Sequence, residues 1–548
     1  MSEASKTFKA FAADTPFLLL VCVIVFTAAI RLRVLDVPLE RDEGEYATMA
    51  QLILEGVPPY AEAYNMKFPG IYFAYAIVLA IFGQTLQAIH FGLLLVNTAS
   101  IILVYFIGKT LVNGWVGFSA SAAFALLTLS NRVHGFWANA EHFVVLFALA
   151  GLLALLRFRN NRGTFPLILS GLMFGTAVCI KQHGAFLALA GCLVAYSVIR
   201  SNAGFPVVPF ARQMGLFLAG LVTPLAAAFL SIAVSGTLDR FLFWSFTYAR
   251  AYASILDVND APHYFRSGFL PLFQTTLLLW LVAGLGFAAV FLTNTLKPHR
   301  VLIMSFLAGG FLAVTPGFIF RPHYFILLIP VAALSFGLGI EFIKTFFARA
   351  HAPWLRIAPP MIVVVMALAS TVAAHADVFF SLSPRAITRL TYGGQPFSQS
   401  LPIARFIQER SDREDRIGII GSEPQIPFYA QRRPASGYLY INSTTEPQPY
   451  AAKMREEFMR EIESAAPRFL LYCQLTPGWY ATGEAEKELL RWFRAYAREH
   501  YRFVARFEWT PGTDGPLEPV TNAAELEAPP GQLYFISIYE HREKAGAE

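Results

Sequence analysis

From Phe17 to Ile30 the chain is almost wholly apolar, and runs of similar length recur as far as residue 376. A hydrocarbon layer about 30 Å thick is crossed by a helix of roughly 20 apolar residues, because lipid offers no partner to a bare backbone. Such stretches fall at 15–32, 88–108, 114–131, 141–157, 165–181, 184–200, 212–234, 268–294, 300–319, 323–345 and 357–376. With 55% hydrophobic and 15% charged residues in 548, the composition excludes an ordinary soluble globular chain. The expectation is a polytopic α-helical membrane protein with about 11 transmembrane helices. Ile71–Phe82 is too short to cross and is expected to lie in, or dip into, the interface. Lys6 and Lys9 precede the first run, but Arg31-Leu32-Arg33 closes it without a small-residue cleavage site, so an uncleaved helix is expected rather than a signal peptide.

Basic residues set the orientation, since cytoplasmic loops are enriched in them. With the N-terminus inside and 71–82 not crossing, the inside loops hold Lys109; Arg157, Arg159 and Arg162; Arg200 and Arg212; Lys297 and Arg300; and Lys344, Arg349 and Arg356. The outside then receives 33–87, 132–140, 182–183, 235–267, 320–322 and everything beyond His375. Two domains follow: 1–376, membrane-embedded with a large first external loop at 33–87, and 377–548, outside. In the second, strand-like Arg416–Gly421, Phe469–Tyr472 and Gln532–Tyr539 alternate with helical patterns at 399–410, 449–464 and 482–500, which predicts a soluble α/β domain.

Cys22, Cys179, Cys192 and Cys473 are scattered singly, so neither a disulfide framework nor a cysteine metal site is expected. The net charge of +6 belongs to cytoplasmic loops rather than to a nucleic-acid surface, for which no basic-aromatic module is present. Against this apolar background, Asp36, Glu40, Asp42, Glu43 and Glu45 crowd into ten residues just past the first helix. Carboxylates so close to hydrocarbon are costly unless solvated, paired or bound to a cation, which marks a candidate site.

The string Arg41-Asp42-Glu43-Gly44-Glu45-Tyr46-Ala47, followed by Tyr64-Asn65-Met66-Lys67-Phe68-Pro69-Gly70, resembles the first external loop of GT-C fold glycosyltransferases. The nearest likeness is to bacterial relatives of protein O-mannosyltransferases and of the lipid A aminoarabinose transferases. Gly421-Ser422-Glu423-Pro424-Gln425 and Arg432-Arg433-Pro434-Ala435-Ser436 resemble a segment of bacterial members. The resemblance implies sugar transfer from a polyprenyl-phosphate carrier, with Asp42 as the catalytic carboxylate and Glu43 beside it supporting geometry or binding a cation. Met66 stands where the aminoarabinose-transferase branch carries an acid, which puts any metal site using that acid in doubt. Capping of a helix through Gln51 by Asp42 and Glu43 is the structural alternative.

Removing a phosphate from an anomeric carbon calls for cations as well as a base. Lys67, Lys181 in Ile180-Lys181-Gln182-His183-Gly184, Arg266, and Arg321, His323 and Tyr324 in Phe320-Arg321-Pro322-His323-Tyr324-Phe325 are the phosphate-binding candidates. His134, Glu141, His183 and His263 are candidates for the sugar or acceptor. A divalent cation shared by Glu141, Asp42 and His134 is an option, without a fixed ligand spacing to support it. The expected partners are a polyprenyl-phosphate-linked sugar, a lipid, glycan or protein acceptor, and membrane lipids. The expected location is a bacterial inner membrane, with the C-terminal domain periplasmic or extracellular. The alternatives are a transporter or flippase of a lipid-linked substrate and a non-catalytic scaffold; clustering of polar residues on one face, instead of at the midplane, disfavours transport.

Overall fold

Helices form where the apolar runs were read, and their lengths decide which can cross a membrane unaided. The computed structural model describes residues 3–161, 163–203, 207–348, 351–474, 483–510, 512–513, 518–522, 524, 526, 530–532 and 534–544. Arg162, Arg349, Thr482 and Leu533, used above, lie outside the described residues. Six helices are long and apolar enough to span: Thr15–Arg33, Leu86–Leu111, Ala140–Asn160, Gly184–Ser201, Val208–Val234 and Ile329–Phe347. Gly114–Leu129, Thr164–Ile180 and Ala358–Ala374 match expected spans but are shorter, and Arg300–Val314 has 15 residues. Eleven full-length spans are therefore not reached among the described residues.

The run at 268–294 is not one straight span. Helices ending at Thr275 and starting at Leu277 meet at 99°. Thr276 leaves helical geometry (φ −132°, ψ 31°), and its hydroxyl donates to the Leu272 carbonyl at 2.6 Å. The Thr276 N–H donates to the same carbonyl at 3.2 Å, so hydroxyl and amide share one acceptor at the end of the first helix. Likewise, the expected 323–345 helix opens as a 3-10 turn, Pro322–Leu327, before Ile329–Phe347 begins. Gly70–Phe82 is a helix of 13 residues, too short to cross, as expected.

The chain forms two units, neither continuous in sequence. The first contains Met1–Leu35, His90–Phe229 and Leu256–Ser381. Its helices approach closely where side chains vanish: a Cβ on Gly286 would lie 2.5 Å from the Gly339 nitrogen, so Leu277–Leu292 and Ile329–Phe347 meet backbone to backbone. Small residues serve membrane helices in this way, since packing rather than the hydrophobic effect holds them together.

The second unit contains Asp36–Ile89, Leu230–Ile255 and Leu382–Glu548. The first external loop thus packs with the C-terminal region. That region carries a five-stranded mixed sheet: β1 (Arg416–Ile420), β2 (Arg433–Pro434), β3 (Phe469–Gln474), β4 (Tyr501–Trp509) and β5 (Tyr534–His541). The order is β2-β1-β3-β5-β4, with β1 parallel to β2 and β3, and β5 antiparallel to β3 and β4. Helices Phe397–Gln408 and Gln425–Ala430 pack Ile403, Ile407 and Ile426 into a core with Ile417, Leu471, Phe507 and Ile538. β4 and the two-residue β2 were not anticipated, because Tyr501–Trp509 lacks a clean apolar-polar alternation.

Helix Arg41–Leu54 lies against Gln425. A Cβ on Gly44 would sit 2.5 Å from the Gln425 nitrogen, and Thr48 donates to the Pro424 carbonyl at 2.8 Å. Gly44→Ala should cost about 1–3 kcal/mol through overpacking. A lowered melting temperature in detergent checks this; an unchanged one would place the helix away from that segment.

Candidate active site

An N-terminal cap aims the acidic cluster. Glu40 caps helix Arg41–Leu54, its carboxylate accepting from the Glu43 N–H at 3.0 Å while Glu43 accepts from the Glu40 N–H at 3.3 Å. This reciprocal box satisfies two helix-end donors and uses Glu43, which is fully buried, as a structural group. Asp42 is left out of the cap. Its Oδ2 pairs with Lys67 Nζ at 3.3 Å, and its Oδ1 accepts from the Tyr440 hydroxyl at 3.0 Å. The Asp42 side chain keeps 20% exposure, unlike the buried carboxylates Glu40, Glu43 and Glu45. It is the acid of this cluster that solvent or a ligand can reach.

Glu45, one turn further on, holds the loop that carries Lys67. It is fully buried, with Oε2 accepting from Asn65 Nδ2 and Oε1 from the Tyr72 hydroxyl, each at 2.7 Å. The Tyr60 hydroxyl donates to the Lys67 carbonyl at 2.7 Å, and the ammonium lies 5.7 Å from the centre of the Tyr46 ring. Burial pushes the Glu45 carboxyl up to about 7, opposed by Lys67 and reinforced by Asp42. Burial and the carboxylates Asp42, Glu45 and Glu40 push the Tyr440 hydroxyl well above the usual tyrosine range, so it stays a donor.

Arg41 turns away from Asp42. Its Nε donates to the Ser422 carbonyl at 2.5 Å and its Nη2 to Glu423 Oε1 at 2.9 Å. The Ser422 hydroxyl accepts from the Ile441 N–H at 3.1 Å and lies 2.9 Å from Asn442 Oδ1. The Gly421–Gln425 string thus holds the loop bearing Tyr440. Sequence reasoning missed Tyr440, Glu45, Asn65 and Tyr72 as site residues; Glu45 and Asn65 stood inside the quoted strings, whereas nothing local marks Tyr440.

A second constellation belongs to the first unit. Lys181, at the end of helix Thr164–Ile180, pairs with Glu141 Oε1 at 2.5 Å, and both are buried. His323 Nε2 lies 4.0 Å from the same oxygen. The ammonium of Lys181 is 4.5 Å from the centre of the Tyr324 ring, against which the His183 ring packs at 4.8 Å; His134 and His323 are 5.7 Å apart. Glu141 Oε2 and both amide atoms of Asn139 are buried without a hydrogen-bond partner among the described residues. Buried polar atoms are rarely left unpaired, so this set is complete only with water or a hydroxylated or anionic ligand. His134, Phe318 and Phe320 adopt φ of 54°, 54° and 45°, strain of the kind found at binding sites.

Glu141, His134, Lys181, His183, His323 and Tyr324 are thus brought together, while Arg321, His263 and Arg266 are exposed. Lys67 pairs with the candidate base, and Glu43 caps. Lys181 already occupies the carboxylate that a divalent cation would take. Among the described residues no three His, Cys, Asp or Glu side chains form a metal-binding group. These residues fit an anion better than a cation.

Because the Glu45 carboxyl is raised from 4.5 to about 7, the folded chain binds this proton more tightly than the unfolded one. The stability from that proton is complete at acid pH and is lost as pH rises through about 7. Glu45→Gln should flatten the fall in melting temperature between about pH 5 and 8. An identical slope in the variant would refute the assignment.

Residues 66–226 match the family model for dolichyl-phosphate-mannose-protein mannosyltransferases. No curated protein matches the chain by sequence. Among solved structures, ArnT from Cupriavidus metallidurans bound to undecaprenyl phosphate is similar at 14% identity and a TM-score of 0.60, over 98% of this chain and 100% of that one. Its apo form gives 14% identity and 0.59, over 98% and 100%. The oligosaccharyltransferase AglB from Archaeoglobus fulgidus, in complex with an inhibitory peptide and a dolichol-phosphate, gives 12% and 0.55, over 96% of this chain and 76% of that one. At these identities the likeness is one of architecture, and the chain has the GT-C fold of membrane glycosyltransferases.

Proposed function

We propose that this multi-pass membrane protein transfers a sugar from a polyprenyl-phosphate carrier to a lipid, glycan or protein acceptor at the periplasmic face of a bacterial inner membrane. The observation that carries this is the state of Asp42: a partly exposed carboxylate held between a lysine and a tyrosine hydroxyl, within reach of a substrate from solvent. The GT-C fold, and the polyprenyl phosphate and dolichol-phosphate bound by ArnT and AglB, support a lipid-phosphate donor.

In the proposed reaction Asp42 takes the proton of the acceptor O–H or N–H as that atom bonds to the anomeric carbon. The bond from that carbon to the phosphate oxygen breaks, its electron pair leaves with the oxygen, and polyprenyl phosphate departs. Lys67, paired with Asp42, is assigned to the phosphate, since fixed cations are most effective where charge develops on a leaving oxygen. In the other unit, the orphaned Glu141 oxygen and Asn139 amide, with Lys181 and His323 at the same carboxyl, suit a hydroxylated or anionic ligand. The distribution of Lys and Arg over the loops, with Ile71–Phe82 not crossing, supports a cytoplasmic N-terminus.

The test uses the full chain in proteoliposomes with a panel of undecaprenyl-phosphate pentoses and hexoses, supplied with lipid, glycan and peptide acceptors. Asp42→Asn should lower donor turnover by about 10²–10⁴-fold, the usual range for a lost general base, while binding of undecaprenyl phosphate persists. Turnover unaffected by Asp42→Asn would refute the role of Asp42. Lys67→Met should instead weaken undecaprenyl phosphate binding, by about tenfold or more for a lost charge-assisted contact. Unchanged binding would remove Lys67 from the phosphate site.

A further inference from the structure

The transferase assignment uses Asp42 but leaves unexplained why a residue almost 400 positions away touches it. Asp42 Oδ1 accepts from Tyr440 at 3.0 Å. That bond is set by a cradle that grips both partners. The Ser422 carbonyl receives Arg41 Nε at 2.5 Å, one residue before Asp42, and the Ser422 hydroxyl receives the Ile441 N–H at 3.1 Å, one residue after Tyr440. A single serine thus links the Arg41 side chain, next to Asp42, to the backbone next to Tyr440. The Ile441 N–H also reaches the Gly421 carbonyl at 3.3 Å, and Arg455 Nη1 donates to the Thr444 carbonyl at 2.9 Å, closing the short turn Ile441–Thr444.

We propose that Tyr440 is a positioning residue for Asp42, through which the C-terminal region forms part of the catalytic centre. The inference rests on the transferase assignment above. With Tyr440 on Oδ1 and Lys67 on Oδ2, rotation of the carboxylate is restrained from both sides. Groups facing Asp42 from every side agree with this role. Glu40 and Glu45 share its helix end and repel it, Lys67 attracts it from the following loop, and the hydroxyls of Tyr72, Tyr75 and Tyr392 feel its charge. Among acidic neighbours that push the carboxylate away, a neutral donor fixes its orientation without adding charge.

The test is a rate cycle on the full chain in proteoliposomes, with the same undecaprenyl-phosphate sugar panel. Tyr440→Phe keeps the ring and removes one hydroxyl. A hydrogen bond to a charged group is worth a factor of roughly ten to a hundred, so kcat should fall by about that much with KM within about twofold. Adding Tyr440→Phe to Asp42→Asn should cost nothing further in kcat, because Glu45, which the hydroxyl also faces, is a buried group that does not meet substrate, and the effect on turnover runs through Asp42. A merely structural role would lower the melting temperature and the active fraction, and would slow Asp42→Asn as much as the unaltered chain. Full kcat in Tyr440→Phe, or additive losses, overturns the inference while leaving Asp42 in place. Absence of turnover by the unaltered chain with every donor overturns the transferase assignment, and this inference with it.

Discussion

A chain this apolar keeps a buried carboxylate only by giving it a partner, and the site follows from how each one is partnered. Glu43 and Glu40 accept from one another's backbone N–H. Glu45 takes an amide and a phenol, Glu141 takes an ammonium, and Asp42 takes an ammonium and a phenol while keeping access to solvent. Desolvation penalises each charged form, so a carboxylate with one oxygen left unpaired, or with partial exposure, is poised to exchange its partner for a ligand. Glu141 and Asp42 meet that description, whereas Glu43 does not.

The same economy explains why Lys67 and Lys181 are both near acids. An ammonium close to hydrocarbon needs a counter-charge, which Asp42 and Glu141 supply. Aromatic rings extend the arrangement: Tyr46 lies beside Lys67, and Tyr324 beside Lys181, so each cation also gains the attraction of a ring face.

The second unit joins the first external loop to a region that composition alone set apart. Arg41, Thr48 and Asp42 all reach residues between 422 and 440, and Gly44 lets the helix carrying them approach Gln425. The Gly421–Gln425 string, which in the sequence is only a resemblance to bacterial relatives, acquires a physical task as the clamp between Arg41 and the turn after Tyr440.

The apolar runs were legible because lipid imposes a length and a composition on any helix that spans it, and the paired acids stood out because charge is rare in such a chain. Six runs have the full spanning length, and the strands β1, β3 and β5 lie where alternation placed them. The break at Thr276 was hidden, since one threonine in an apolar run reads as helix until its hydroxyl is seen to take a backbone carbonyl. Division of labour among the acids was hidden as well: Asp42 and Glu43 are adjacent and alike in charge, and only the helix turn sends one to the cap and the other to Lys67. The meeting of Tyr440 with Asp42 was decided wholly by tertiary structure. Residues 398 apart share no period or spacing, and their contact is braced by Ser422, which accepts from the Arg41 guanidinium on one side of it and from the Ile441 N–H on the other.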